Sequence, residues 1–234
     1  MKVVFAGPSI ADIRLPMDGI VFRRPAQYGD IAQAVADDAN VIGIIDGHFG
    51  QVASVWHKEI LFALSEGVQV LGAASMGALR AAECEAFGMV PVGSIARRYC
   101  SGEICDDGDV ALLNAPEELA FAALTEPMVN VDATAARLGS LGIASATEVR
   151  ALSSYARSIF FWHRTVEAMF DTGSPVSRLA DHYRRHHIDL KSRDAEALIA
   201  AVSELPDCRA EPPNDWQFAQ SRFWAKRAEP ITLQ

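Results

Sequence analysis

Residues 68–88, VQVLGAASMGALRAAECEAFG, place a strand, a turn of small residues and a helix in immediate succession. Val68-Gln69-Val70-Leu71 has the apolar, β-branched make-up of a buried strand, and Gly72-Ala73-Ala74 links it to a helix over 75–87 that stops at Gly88. The same alternation precedes it. KVVFA (2–6) closes on Gly7-Pro8-Ser9, IVFR (20–23) runs into Pro25, and helical spacing over 30–39 leads to VIGIID (41–46), a continuous apolar run suited to a parallel sheet. An amphipathic helix is expected over 52–66, ending at Gly67. The first half of the chain therefore reads as an α/β layer, with a mostly parallel sheet and flanking helices in residues 1–130.

Past residue 100 the strand signal fades. Asp106-Asp107-Gly108-Asp109 is read as the acidic first turn of a helix running through VALLNAPEELAFAAL, divided at Pro116. Further helices are expected over 133–141, 146–171, 176–187 and 193–204, giving a helical region over 131–205. The tail, 206–234, mixes Pro206, Pro212 and Pro213 with Trp216, Phe218, Phe223 and Trp224. Four aromatics at that density are costly to leave in water, so the tail is expected to pack on the body or on a partner.

The 234 residues are half apolar and 22% charged, enough for a sizeable folded core. The formal net charge is −9, with 8 basic and 17 acidic residues in 1–130 and 13 of each in 131–234. A general nucleic-acid or anionic-membrane binder needs the opposite balance. No run of about 18 apolar residues and no signal-peptide pattern stands in the sequence, so a cytoplasmic setting is expected. Cys84, Cys100, Cys105 and Cys208 are too irregularly spaced for a metal site or a disulfide framework, and no cofactor is called for.

The chemistry concentrates at predicted strand ends. Ala73-Ala74-Ser75-Met76-Gly77 is one glycine short of the G-x-S-x-G nucleophile elbow, which lifts a serine above the carboxyl ends of parallel strands. Beside a helix start, the Met76 N–H is placed to hold an oxyanion. The bland alternative is that Ser75 only caps the helix. A serine nucleophile needs a base. His182 and His186, spaced i, i+4, read more simply as part of a solvated basic helix, Arg184-Arg185 included. Lys58, one of four lysines, lies in the 52–66 helix beside His57; it is either a general base with a depressed pKa or a surface lysine with its stem on an apolar groove. Gly7-Pro8-Ser9, Arg24-Pro25-Ala26 and Asp46-Gly47-His48-Phe49 would converge with Ser75 on one rim, although Asp46-Gly47 also reads as an ordinary tight turn.

At these residues the sequence resembles the TfuA-like family. The resemblance rests on GPS (7–9), PA (25–26), GD (29–30), DGHF (46–49), WHKEIL (56–61), GAASMGALRAAE (72–83), FGMVPVG (87–93) and DDGDVA (106–111), the last departing from a DDE run. It implies a Ser-Lys hydrolase that splits a thiocarboxylated ThiS-like sulfur carrier and delivers sulfide to a YcaO enzyme for thioamidation of a precursor peptide. By motif position the catalytic pair is Ser75 and Lys58. Met76, Gly77, Gly7, Ser9, Asp46 and Gly47 are expected to bind the oxyanion or substrate, with His57, Arg80 and Glu83 in support. Two rivals remain: a non-catalytic adaptor binding YcaO and its peptide, and a nucleotide-binding protein, for which the G-x-G-x-x-G fingerprint is missing.

Overall fold

A computed structural model describes residues 1–11, 13, 18–48, 52–119, 121–221 and 224. In chain order the elements are β1 (Lys2–Phe5), β2 (Ile20–Arg23), α1 (Asp30–Ala36), β3 (Val41–Ile44), α2 (His57–Ser65), β4 (Gln69–Gly72), α3 (Met76–Cys84), β5 (Val90–Pro91) and α4 (Gly93–Cys100). Then come α5 (Met128–Ser140), α6 (Ala146–Ser158), α7 (Val166–Met169), α8 (Ala180–Arg185) and α9 (Leu190–Glu204). The five strands pair in parallel in the order β2-β1-β3-β4-β5. No helix among the described residues is long and apolar enough to cross a membrane.

Because side chains alternate along a strand, each run feeds two cores. Val3, Phe5, Ile42, Ile44 and Val70 face one way and meet Ile31, Val35, Ile60, Ala63 and Leu64 from α1 and α2. Val4, Val41, Ile45 and Leu71 face the other way and are covered by Ala195, Leu198, Ile199 and Val202 of α9. Gly43 in the central strand admits this helix: a Cβ there would lie 2.7 Å from Leu198 Cδ2. The sheet is thus an α/β sandwich closed on its second face by the last helix. A separate apolar cluster, with Met128, Val131, Leu138, Leu152, Met169 and Tyr183, joins α5 to α8.

Three expected helices differ. The 52–66 helix starts only at His57, because Trp56 is extended (φ −83°, ψ 135°). The stretch after Asp109 is not a helix: Asp106 caps a single turn over Asp107–Asp109, and the chain then folds back through an Asn114–Ala123 antiparallel bridge around Pro116. The 146–171 helix ends at Ser158, where Ile159 turns extended and Thr165 caps a new short helix by accepting from the Ala168 N–H. Described residues of the tail touch the body. Ala210 N–H donates to Gly67 O (2.8 Å), Trp216 meets Phe87 at 5.7 Å, and Phe218 and Trp224 meet Phe62 at 5.7 and 5.0 Å. Phe49 and Phe223 lie outside the described residues.

Candidate functional site

The order β2-β1-β3-β4 sends the chain away from β1 and β3 in opposite directions, opening a crevice beyond their carboxyl ends. The residues that follow those strands line it. Asp46, 2% exposed, turns back across the crevice. Its Oδ2 accepts the Gly7 N–H (2.9 Å) and the Ser9 N–H (3.0 Å), and its Oδ1 accepts the Ser9 hydroxyl (2.7 Å). The backbone donors of Gly7 and Ser9 are therefore committed to Asp46. The glycines of the rim are explained by close approach: a Cβ would lie 2.5 Å from Pro25 Cγ at Gly7, 2.7 Å from Met76 Cγ at Gly47 and 1.7 Å from Ile44 O at Gly77.

Ser75 follows β4 at the mouth of α3. The backbone cost of the turn is carried one residue earlier, where Ala74 adopts φ +64°, a left-handed conformation that residues with a Cβ seldom take. Ser75 occupies the position before α3, yet its side chain makes no capping hydrogen bond. The Met76 N–H has no acceptor among the described residues, while the Gly77 N–H donates to Ile45 O (3.2 Å). Ser75 opens on a cavity of about 400 Å³ that it shares with Asp46, Gly47, His48 and Lys191, walled by Leu112 to Pro116 and edged by Phe161 and Trp162. Burial, with Arg24 nearby, pushes the His48 imidazole down from its ordinary value.

Lys191 is the residue that sequence reasoning missed. It is 2% exposed, and its Nζ donates to Val110 O at 3.0 Å. Burial pushes its ammonium down from the ordinary lysine range, against the opposing pull of Asp46 and Asp189. The start of α9 is clamped: Asp189 caps it through the Ser192 N–H (2.9 Å), and Asn130 Oδ1 accepts the N–H groups of Leu190 (2.9 Å) and Lys191 (3.2 Å). One signal was present, since Lys191 falls on the stripe of Ala195, Leu198 and Val202 at helical spacing, where a charge does not belong without a reason.

Lys58 stands elsewhere. It is half-buried under the tail, its Nζ 3.2 Å from Ser221 Oγ and 5.2 Å from the Phe218 ring centroid, and it does not line the Ser75 cavity. His57, Arg80 and Glu83 form one group between α2 and α3: Glu83 Oε2 takes Arg80 at 2.6 Å and His57 at 2.8 Å, and Arg80 Nε donates to Val55 O (2.9 Å). That arrangement braces α2 against α3. Of the acidic run, Asp109 is buried and pairs with Arg157. In the basic stretch, His187 contacts Glu126 at 3.1 Å, and this hydrogen bond holds its imidazole above the ordinary value.

The family model described as TfuA-like protein matches residues 46–165, half of the chain, beginning at Asp46 and including Ser75. None of the curated proteins matches the chain.

Proposed function

We propose, from the premise that the chain belongs to the TfuA-like family, that it hydrolyses the C-terminal thiocarboxylate of a ThiS-like sulfur carrier and releases sulfide for a YcaO enzyme that thioamidates a peptide backbone. The single observation that carries this reading is that Ser75, set at the carboxyl rim of a doubly wound sheet, lines a cavity and leaves its hydroxyl uncommitted as a helix cap. A serine used only to stabilise α3 would accept from the N–H groups of its first turn.

In this reading Ser75 Oγ attacks the thiocarboxylate carbon, the Met76 N–H donates to the developing oxyanion, and the C–S bond breaks with the proton of the serine hydroxyl ending on the sulfur, which leaves as hydrosulfide. Water then clears the acyl-serine and frees the carrier as a carboxylate. The cavity of about 400 Å³, where Gly47 leaves no room for a Cβ beside Met76, suits an extended chain end better than a bulky ligand. The test uses purified full-length protein and a thiocarboxylated carrier, with sulfide release as readout. Ser75→Ala should lower turnover by more than about 10³-fold with an unchanged unfolding midpoint. Undiminished release would overturn the assignment.

A non-catalytic adaptor is the second reading, favoured by the Phe160-Phe161-Trp162 turn, whose Phe160 and Trp162 are exposed beside the cavity mouth. It expects Ser75→Ala to be silent and substitution of Phe160 and Trp162 to abolish partner binding.

A further inference from the structure

We propose that the open edge at the start of β4 takes an extended, basic segment of a partner protein as an added strand. The inference stands apart from the reading of Ser75, because the cavity on which it rests shares no lining residue with the Ser75 cavity.

The sheet ends there before its helical layers do. β5 meets β4 only at Leu71 and Gly72, so the ladder stops short of Val68, Gln69 and Val70. Leu64 of α2 continues one layer past that point, and Ala201 and Leu205 at the end of α9 continue the other. Between them lies a cavity of about 700 Å³, walled further by Val70, Phe87, Val90 and Pro213. Phe87 and Val90 are exposed at its edge. An opening in the plane of a sheet, held between the layers that cover its two faces, has the shape of one more strand.

Backbone polarity agrees with that shape. Gln69 donates its N–H to Asn40 O (3.0 Å) on the β3 side. Because successive peptide groups alternate across a strand, the Val68 carbonyl and the Val70 N–H point the other way, toward the opening. Among the described residues neither has a backbone partner outside the ladder, which reaches β5 only from Leu71 onward. One residue of an incoming parallel strand would satisfy both. The outer edge of β5 is poorer in this respect, being two residues long and ending on Pro91, which has no N–H.

Charge selects the occupant. Glu204 and Glu211 stand exposed on the rim, and neither forms an ion pair among the described residues, while Arg209 is drawn to Glu66 (3.9 Å). Two uncompensated carboxylates above an apolar slot fit Lys or Arg flanking β-branched side chains. The same rim disfavours a second copy of this chain, whose formal net charge is −9.

The probe is a phage-displayed library of random linear peptides, panned on the full chain with Ala201→Phe, which fills the slot, as counter-target. Enriched sequences should be rich in Val, Ile and Thr, carry Lys or Arg at their ends and lack interior proline. The tightest of them, synthesised, should bind Ala201→Phe at least about 10-fold more weakly, and the Glu204→Lys, Glu211→Lys double variant likewise, with wild-type affinity falling as salt is added. N-methylation of alternate amides should abolish binding in one register and spare it in the other, as strand pairing requires and simple apolar burial does not. No enrichment, equal affinity for Ala201→Phe, or indifference to both N-methyl registers would overturn the proposal. So would a wild-type dimer in sedimentation that Ala201→Phe abolishes, since the slot would then belong to a second copy. If Ala201→Phe fails to fold, the exposed glutamate pair decides: undiminished affinity in that variant removes the basic segment as occupant.

Discussion

Replacing Asp46 separates the structural and chemical duties of the carboxylate. In Asp46→Ala the buried N–H groups of Gly7 and Ser9 and the Ser9 hydroxyl lose their acceptor together. Unsatisfied buried donors cost about 1–3 kcal/mol each, and breaking a buried charged group from its partners costs about 3–5 kcal/mol in all. At about 2–4 °C per kcal/mol for a chain of this size, the thermal midpoint should fall by roughly 6–20 °C. Asp46→Asn should behave differently. The amide oxygen can take the two N–H donors, and the amide nitrogen can donate to the Ser9 hydroxyl, which reverses its role. All three bonds survive and only the charge goes, so the Asn variant should melt close to wild type. Its titration should move. Asp46 pulls the Lys191 ammonium upward, so neutralising it lets the lysine fall further. The stability sign agrees. Lys191 gives up its proton in the folded chain before it would in the unfolded one, so stability climbs with pH between the two values, and the climb begins at lower pH in the Asn variant. Circular-dichroism melts at several pH values check both parts. Equal destabilisation by Asn and Ala, or an Ala variant as stable as wild type, would refute the reasoning.

Two further outcomes follow from placement. Lys58→Ala loses the Ser221 hydrogen bond and the Phe218 face, which should cost about 1 kcal/mol in urea unfolding and speed proteolysis after residue 206 while sulfide release persists. His187 is held above its ordinary value by Glu126, so its contribution is full below pH about 6.5 and fades as pH rises through the higher folded value. His187→Phe should therefore be more destabilising, relative to wild type, at pH 5.5 than at pH 8 in paired melts.

Four of the five strands were legible because they are short, apolar and punctuated, while the two-residue β5 is too short to leave a pattern. Gly67 and Gly88 end their helices with φ +76° and +102°, which glycine adopts freely, so the boundaries could be read from residue type alone. The rim was legible for the same reason: Gly7, Asp46 and Ser75 each follow a recognisable strand. Residues 110–125 misled because apolar periodicity does not tell a helix from a loop whose side chains wall a cavity, as Leu112, Leu113 and Ala115 do. Lys191 escaped notice because 116 residues separate it from Ser75, and only tertiary packing brings α9 beside β3 and β4. Motif proximity pointed to Lys58, which the fold turns toward the tail.

The double duty of α9 has a consequence for how the molecule comes into being. A nascent chain leaving the ribosome displays Ser75 and most of the sheet early, but one flank of that sheet, with Val4, Val41, Ile45 and Leu71, stays bare until residues 190–204 emerge. The same docking event that shields this flank brings Lys191 into the lining of the cavity that Ser75 shares. An unfinished polypeptide therefore lacks both the cover of this flank and the buried lysine that lines the Ser75 cavity.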